Sequence, residues 1–383
     1  MKHQFIITCS LGFEEILCKE IRRLNLQHVK AEIGTVRFQG TISDGLKACL
    51  WTRLGSRVLL RLDRFQGLSS EELYEGIYAI PWEDHMHPTA SLWIDFIGYS
   101  KQLRHSQFAA RKAKDAIVDR FRDRTGQRPN VDKDADLRIH IHLRHGVFTV
   151  SIDLCGQPLH IRTPDRRISD APLKENLAAA LLHLSGWVKA QKRGIPLIDP
   201  LCGSGSIALE AMGIACNSAP NLHRKEWIFQ RWTGYSSSDW EPLIEEAKDL
   251  RKQKPDVDIF AMDIDASAIK ACQFNARQQQ LPAPQLTCQP VSSLHPPSST
   301  GYVITNPPYG ERIGAHSHVD KVYQDLGQTL QRFVDWKAYL LCPSNELYQA
   351  TGLRRTEERY TLRNGPLKCR FLELQLPSTT VDE

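Results

Sequence analysis

Three short stretches carry residue types that could do chemistry together. The first is Asn306-Pro307-Pro308-Tyr309, which follows the apolar run Val303-Ile304-Thr305. Neither proline can donate to a sheet ladder, and each fixes its own φ at about −65°, so the strand stops and a stiff loop follows. The Asn306 side-chain oxygen and the Pro307 carbonyl are two acceptors, and Tyr309 adds a flat face. Two acceptors aimed at one amine, with a ring to stack on, suit methylation of an exocyclic amino group on a planar base. The plainer reading is a strand-end Asn-Pro turn.

The second stretch is Asp199-Pro200-Leu201-Cys202-Gly203-Ser204-Gly205-Ser206, set between a predicted strand and a predicted helix. Its glycines let the backbone pass close to a ligand with no Cβ in the way. No Lys precedes Ser206, so this is not a phosphate P-loop, and the further glycine of a dinucleotide fingerprint is absent. The third is Asp263, at the end of the predicted strand Ile259–Asp263, where an acid accepts hydrogen bonds from ribose hydroxyls in dinucleotide folds. Asp265 either joins this acidic site or caps the helix that opens at Ala266. A cationic centre and a ribose diol would satisfy the acids. With the Asn306 loop, the ligand that fits all three stretches is S-adenosylmethionine.

The elements that must position these residues follow from residue periodicity. Residues 1–60 read strand, helix, strand, helix: Gln4–Thr8, a helix opening at Gly12, Ala31–Gln39 and Ile42–Thr52, followed by a strand over Ser56–Leu62. Such alternation in a short span predicts a small α/β or split βαβ module. Residues 65–160 add a helix from Glu71, a strand at Ser91–Phe96, a helix over Ser106–Arg124, and two strands at Leu137–Leu143 and Val147–Leu154. The polar, proline-containing run Arg162–Arg167 is the best boundary in the chain. Beyond it, strands and helices alternate as in a doubly wound sheet: Leu173–Ser185 helical, Pro196–Pro200 a strand, Ser206–Met212 helical, then Ile259–Asp263, Ala266–Gln280, the Asn306 strand, a helix over Val319–Phe333 and a strand at Ala338–Leu341. A terminal hairpin is expected with arms Arg355–Leu362 and Lys368–Leu376 and Asn364-Gly365 at the turn. The interval Met212–Val257 is long for a connection and carries Trp227, Trp232 and Trp240, which predicts an inserted flap whose aromatics pack it down more readily than they meet a base.

The 383 residues carry a net charge of +5, unevenly placed. Between Lys101 and Arg124 there are eight Lys or Arg against three Asp. On a predicted helix that surplus points to a polyanionic partner, with a solvated face as the alternative. Ten cysteines are scattered with no C-x-x-C pair, which argues for reduced thiols and against a zinc site. His140 and His142 alternate with apolar residues and, with His145, read as the polar side of a strand; no metal is expected. With no signal peptide and no membrane-length apolar run, the expected location is the cytoplasm.

Several motifs together resemble a known family. These are Arg104-His105-Ser106-Gln107, Lys114–Asp119, Arg128–Asp132, Ala171-Pro172-Leu173-Lys174-Glu175, the Asp199 loop, Ala219–Arg224, Asn306–Arg312 and Asn364-Gly365-Pro366-Leu367. Over essentially its whole length the chain is similar to the bacterial 23S ribosomal RNA guanine-N2 methyltransferases of the YpsC-like family. The resemblance implies a ferredoxin-like subdomain over 1–62, a THUMP RNA-binding domain over 63–160 and a Rossmann-like, class I methyltransferase domain over 165–383. It implies S-adenosylmethionine held by Pro172, Lys174, Asp199, Pro200, Cys202, Gly203, Gly205, Asp263, Asp265 and Asn306. Catalysis would fall to Asn306, Pro307 and Tyr309, and contacts to 23S ribosomal RNA, or a precursor of the large subunit, to Arg104, Arg111, Lys112 and Lys114. The run Cys288–Ser292 departs from the family pattern, with Pro290 where an acid near the adenine is expected. An adenine-N6 or tRNA guanine-N2 methyltransferase, a protein glutamine methyltransferase, and a non-catalytic RNA-binding assembly factor are the alternative readings.

Overall fold

The computed structural model describes residues 2–162, 165–167, 173–309 and 316–379. The chain divides into two compact units, one of Met1–Cys9, Cys18–Leu159 and Arg224–Glu245, the other of Ser10–Leu17, His160–His223 and Glu246–Glu383. In chain order the first elements are β1 (His3–Thr8), α1 (Glu14–Arg23), β2 (Gln27–Glu32), β3 (Thr35–Gly40), α2 (Ile42–Trp51), β4 (Arg57–Gln66), α3 (Ser70–Ala79), β5 (Ser91–Ile97), α4 (Ser106–Thr125), β6 (Asn130–Val131), β7 (Leu137–Arg144) and β8 (Val147–Asp153). Their strands form one sheet in the order β2-β3-β1-β4-β8-β7-β5-β6. Residue 62, expected as a boundary, lies inside β4, which pairs with β1 on one side and β8 on the other.

Local rules explain most of these elements. Thr41 and Asp44 form a capping box at the start of α2, and Ser69 and Glu72 do the same for α3. In β7, Leu137, Ile139, Ile141 and Leu143 are buried while His142 faces outward, the period-2 pattern of a half-buried strand. His140 stands on that second face, 3.5 Å from Asp95 and 3.7 Å from Asp153. One expectation is corrected. Ala31–Gln39 is the turn of a hairpin, not one strand: Gly34 takes φ 72 between β2 and β3. The alternation of side chains runs on through so tight a turn, which hides it from a period-2 reading.

The second sheet follows α5 (Glu175–Leu184) and α6 (Trp187–Ala190). Its elements are β9 (Leu197–Asp199), α7 (Ser206–Ala215), α8 (Ser237–Asp249), β10 (Ile259–Asp263), α9 (Ala266–Gln278), β11 (Gln285–Cys288), β12 (Tyr302–Thr305), α10 (His316–Leu330), β13 (Lys337–Cys342), α11 (Asn345–Ala350), β14 (Arg355–Asn364) and β15 (Leu367–Leu374). The order is β11-β10-β9-β12-β13-β15-β14, with the first five strands parallel and the last two antiparallel to their neighbours. The fold is therefore a mixed α+β sheet followed by a mostly parallel, doubly wound α/β sheet, the second as the alternation of strands and helices predicts. One core packs Ile198, Met262, Val303 and Leu340 with Tyr323, Leu326 and Phe333; Leu209, Cys272 and Ala276 form another. No helix among the described residues is long and apolar enough to cross a membrane.

The flap packs down, and its central part, Arg224–Glu245, belongs to the first unit. Phe229 is wholly buried between Trp227 and Trp240, with ring centroids 5.2 and 5.0 Å away. Trp232 stacks on His85, the Thr233 hydroxyl donates to the Asp84 carbonyl at 2.8 Å, and Arg224 donates to the Cys155 carbonyl at 2.7 Å. The segment's helix α8 carries Pro242 inside it. Proline is disfavoured past the first turn of a helix, and it masked α8 in the sequence.

Candidate active site at the carboxyl edge of the parallel strands

Strand order reverses beside β9: β10 and β11 lie to one side, β12 and β13 to the other. Such a switch point opens a crevice at the carboxyl ends of the strands. The loops after β9, β10 and β12 all start there, which brings Asp199, Asp263 and Asn306 to one edge.

The Asp199 loop is held from both flanks. Gly203 N–H donates to Asp263 Oδ2 at 2.8 Å, and Cys202 N–H donates to the Met262 carbonyl at 2.8 Å. Asp263 Oδ1 accepts from the Asp265 N–H at 3.0 Å. Gly203 and Gly205 take φ 51 and 89, left-handed values that suit glycine. A Cβ on Gly205 would meet Cys272 Sγ at 2.3 Å, so this residue is fixed by packing as well as by φ. The Cys202 thiol is held protonated, its pKa pushed far up by its bond to the Cys272 thiol and by burial. Pro200 is buried in the turn after β9.

Asp199 is 2% exposed and its carboxyl is pushed up to about 7 by burial, which outweighs the bonds that favour its charged form. One of those bonds comes from Thr305, whose hydroxyl donates to Asp199 Oδ1 at 2.8 Å. Thr305 immediately precedes Asn306, so the carboxylate that opens the glycine loop also fixes the strand end that carries Asn306. Sequence reading missed Thr305 because it looks like any β-branched strand residue. Asn306 is half-buried, and its Oδ1 is fully covered with no hydrogen-bond partner among the described residues. A buried amide oxygen left without a donor costs about 1–3 kcal/mol.

Two further residues expected at the cofactor stand at helix starts. Asp265 caps α9, its carboxylate accepting from the Ser267 N–H and hydroxyl at 2.7 Å each, and these bonds hold its pKa down. Ile264, between Asp263 and Asp265, is a large apolar side chain 69% exposed. Lys174 is the exposed N-cap residue of α5; the adjacent Leu173 carbonyl accepts from the Ser206 hydroxyl at 3.1 Å, which ties this segment to the glycine loop. Pro172 lies outside the described residues. At the departure from the family pattern, the Gln289 N–H donates to the Asp263 carbonyl at 3.1 Å.

The expected linker is a clamp. The Arg166 side chain is largely covered, ion-paired with Glu175 at 2.7 Å and donating to the Ser206 hydroxyl at 2.6 Å. Asn275 accepts from the Arg167 N–H at 2.9 Å and donates to the Arg167 carbonyl at 2.8 Å and to the Ser204 carbonyl at 3.0 Å. In the sequence these arginines sit in a polar run and read as solvated; only the fold supplies their partners.

In the first unit, Arg104 and Arg111 are exposed, Lys112 lies 4.8 Å over the Tyr74 ring, and Lys114 pairs with Asp115. Arg120, counted in the same basic run, is buried and bonds both carboxylate oxygens of Glu83 at 2.6 and 2.8 Å. This pairing draws the Glu83 pKa down to about 2.

The parallel sheet and its edge define a Rossmann-like methyltransferase domain. A family profile described as "RMKL-like, methyltransferase domain" matches residues 164–373, and profiles for an RlmL ferredoxin-like domain and a THUMP domain match 4–59 and 69–153. The chain belongs to the RMKL-like methyltransferase family. It is 37% identical over 401 residues to the ribosomal RNA large subunit methyltransferase K/L of Aeromonas salmonicida, covering 99% of this chain and 55% of that protein. The Pseudomonas aeruginosa protein of the same name is 37% identical over 383 residues, covering 98% and 53%. The chain thus spans about half the length of these curated relatives. Among solved structures, a predicted N6-adenine-specific DNA methylase from Listeria monocytogenes superposes with a TM-score of 0.87 at 28% identity, covering 98% of this chain and 97% of that one. The methyltransferase SMU.472, solved in complex with SAH, gives 0.86 at 27%, covering 100% and 99%.

Proposed function

We propose that this chain is an S-adenosylmethionine-dependent RNA methyltransferase of the bacterial cytoplasm that acts on the exocyclic N2 amine of a guanine in 23S ribosomal RNA. The observation that carries the reading is the covered Asn306 Oδ1 just past the end of β12, which has no hydrogen-bond partner among the described residues, one strand away from the glycine loop. The naming of the relatives as large-subunit ribosomal RNA methyltransferases, and the SAH held by SMU.472, support the substrate and the cofactor.

The residues present fit that cofactor. Asp199 and Asp263 supply negative charge, Gly203 and Gly205 a backbone free of side chains, and Ile264 an exposed apolar surface suited to an adenine ring. When bound, S-adenosylmethionine supplies a methyl group activated by a sulfonium. The guanine N2 amine is a weak nucleophile because its lone pair is delocalised into the ring. Asn306 Oδ1 and the Pro307 carbonyl accept its two hydrogens, which lets the nitrogen pyramidalise and aims its lone pair. No strong base is required before attack, since the amine proton becomes acidic only once the methyl has arrived. Alignment of this kind supplies roughly 7–11 kcal/mol in favourable cases. Tyr309 stacks on the base after it leaves its helix, a displacement costing a few kcal/mol. The surplus charge at Arg104 and Arg111 contacts phosphate and positions the RNA without reading sequence.

A nucleoside digest of ribosomal RNA treated with the protein and labelled cofactor tests the reading. Label in N2-methylguanosine is expected. Label in N6-methyladenosine would transfer the same loop to adenine, and no label in any nucleoside, with RNA binding retained, would make the chain a non-catalytic assembly factor.

A further inference from the structure

Sequence pattern places Asn364-Gly365 at the turn of the terminal hairpin, where asparagine serves by tolerating a left-handed backbone. The structure relieves Asn364 of that job. The two-residue loop is Gly365-Pro366, Gly365 alone takes the positive φ of 61, and Asn364 is the last residue of β14, paired with Leu367. Its side chain is free for another use. It donates from Nδ2 to the hydroxyl of Tyr309.

The contact is built by topology. β15 runs antiparallel to β13, so the tip joining β14 to β15 stands at the carboxyl edge, beyond the pairing of Cys342 with Arg370. The register Leu362 with Cys369 and Asn364 with Leu367 sets Asn364 and Cys369 on one face of the hairpin. The Cys369 thiol, wholly buried, lies beside the Tyr309 side chain, which offsets part of the upward push of burial on its pKa. Asn364 meets the far end of the Tyr309 ring. Pro307 and Pro308 stiffen the backbone before Tyr309, which leaves the ring's own two torsions as the soft ones. A bond at the hydroxyl restrains those torsions from the far end of the ring.

We propose that Asn364 is a positioning residue for base recognition, holding the Tyr309 ring in the orientation in which it stacks on the extruded base. The proposal rests on the RNA methyltransferase reading above. Ordering a side chain before substrate arrives removes that entropic cost from binding, so the effect falls on steps that involve the base and spares the cofactor.

The test uses the full chain and ribosomal RNA carrying 2-aminopurine, which keeps the 2-amino group, at the nucleotide identified by the digest. Asn364→Ala is expected to lower the single-turnover rate about tenfold, the scale of one hydrogen bond. It should also weaken the quenching of 2-aminopurine that stacking produces, with cofactor affinity and melting temperature unchanged. Asn364→Val, which suits a strand, should behave alike, so that a strand defect is separated from removal of the hydrogen bond. Tyr309→Phe keeps the ring and removes the hydroxyl; combined with Asn364→Ala it should cost no more than the worse single change. Wild-type rate and quenching in both Asn364 variants would overturn the proposal, as would single effects that multiply in the double variant. If the unaltered protein methylates the RNA and Asn306→Ala does not, those failures fall on Asn364 alone; if Asn306→Ala keeps full turnover, the underlying reading fails instead.

Discussion

In the proposed reading the chemistry turns on Asn306, whose covered side-chain oxygen has no hydrogen-bond partner among the described residues. Asn306→Ala should lower methyl transfer by about 10²–10³, the usual loss for one acceptor or donor aligned on a transition state. S-adenosylmethionine affinity should stay within a few-fold of wild type; calorimetry and single-turnover assays separate the two. Asp199 gives a pH signature. Its carboxyl is raised from 3.8 to about 7 chiefly by burial, so its contribution to stability is fully present below about pH 4 and is lost as pH rises through 7. A cationic ligand reverses the preference by favouring the charged form. Affinity for S-adenosylmethionine should therefore tighten about tenfold between pH 6 and 8, following the ionised fraction. The ligand's own amine titrates nearby, so the measurement is the difference from Asp199→Asn, in which the Asp199 share of the pH dependence should vanish. An unchanged profile in that variant would remove Asp199 from the cationic end of the site. Asp199 and the glycines were legible in the sequence because Pro200 and a glycine-rich loop mark the end of β9, and Asp263 because it closes an apolar run. Thr305 and Arg166 were not, since their roles depend on partners 106 and 9 or 40 residues away.

At the scale of elements, the sequence revealed types better than uses. The period-3.6 pattern of α4 and its charge surplus were both visible. Which charges face solvent was not, because Arg120 and Arg111 look alike until Glu83 is brought beside one of them. Replacing Arg104, Arg111 and Lys112 by Gln should weaken RNA binding. It should also flatten the plot of log K against log salt by roughly two to three units, near one unit for each phosphate no longer neutralised. Arg120→Gln should act differently. It strips a bonded pair from Glu83 and removes a donor 2.9 Å from the Tyr78 carbonyl, so the loss appears in the melting temperature with the salt slope kept. If the triple variant keeps the wild-type slope, α4 returns to being a solvated face. The hairpin shows the same limit of sequence: its turn reads one residue early, and that residue is the one whose side chain reaches Tyr309.

At the scale of the whole chain, the two units are not consecutive halves of the sequence. Arg224–Glu245, inserted between β9 and β10 of the parallel sheet, belongs to the unit built mainly from residues before 160. Composition alone showed an aromatic segment too long for a connection; no local pattern says which core it joins, because burial of Trp is satisfied by any apolar surface. Phe229 decides the matter experimentally. It is wholly buried among Trp227, Tyr235 and Trp240, and removing its ring should cost about 3–5 kcal/mol, the usual loss for Phe→Ala in a core. Hydrogen exchange on the full-length Phe229→Ala variant then reads where that loss falls. Protection should drop in β5, β7 and β8, against which the segment's Ile228–Arg231 turn and Arg224 are anchored through β7 and the Cys155 carbonyl. Amides of β9, β10 and β12 should keep wild-type protection, although residue 229 lies between them in sequence. Loss confined to the parallel sheet would assign the insertion to the methyltransferase core and redraw the division of the chain.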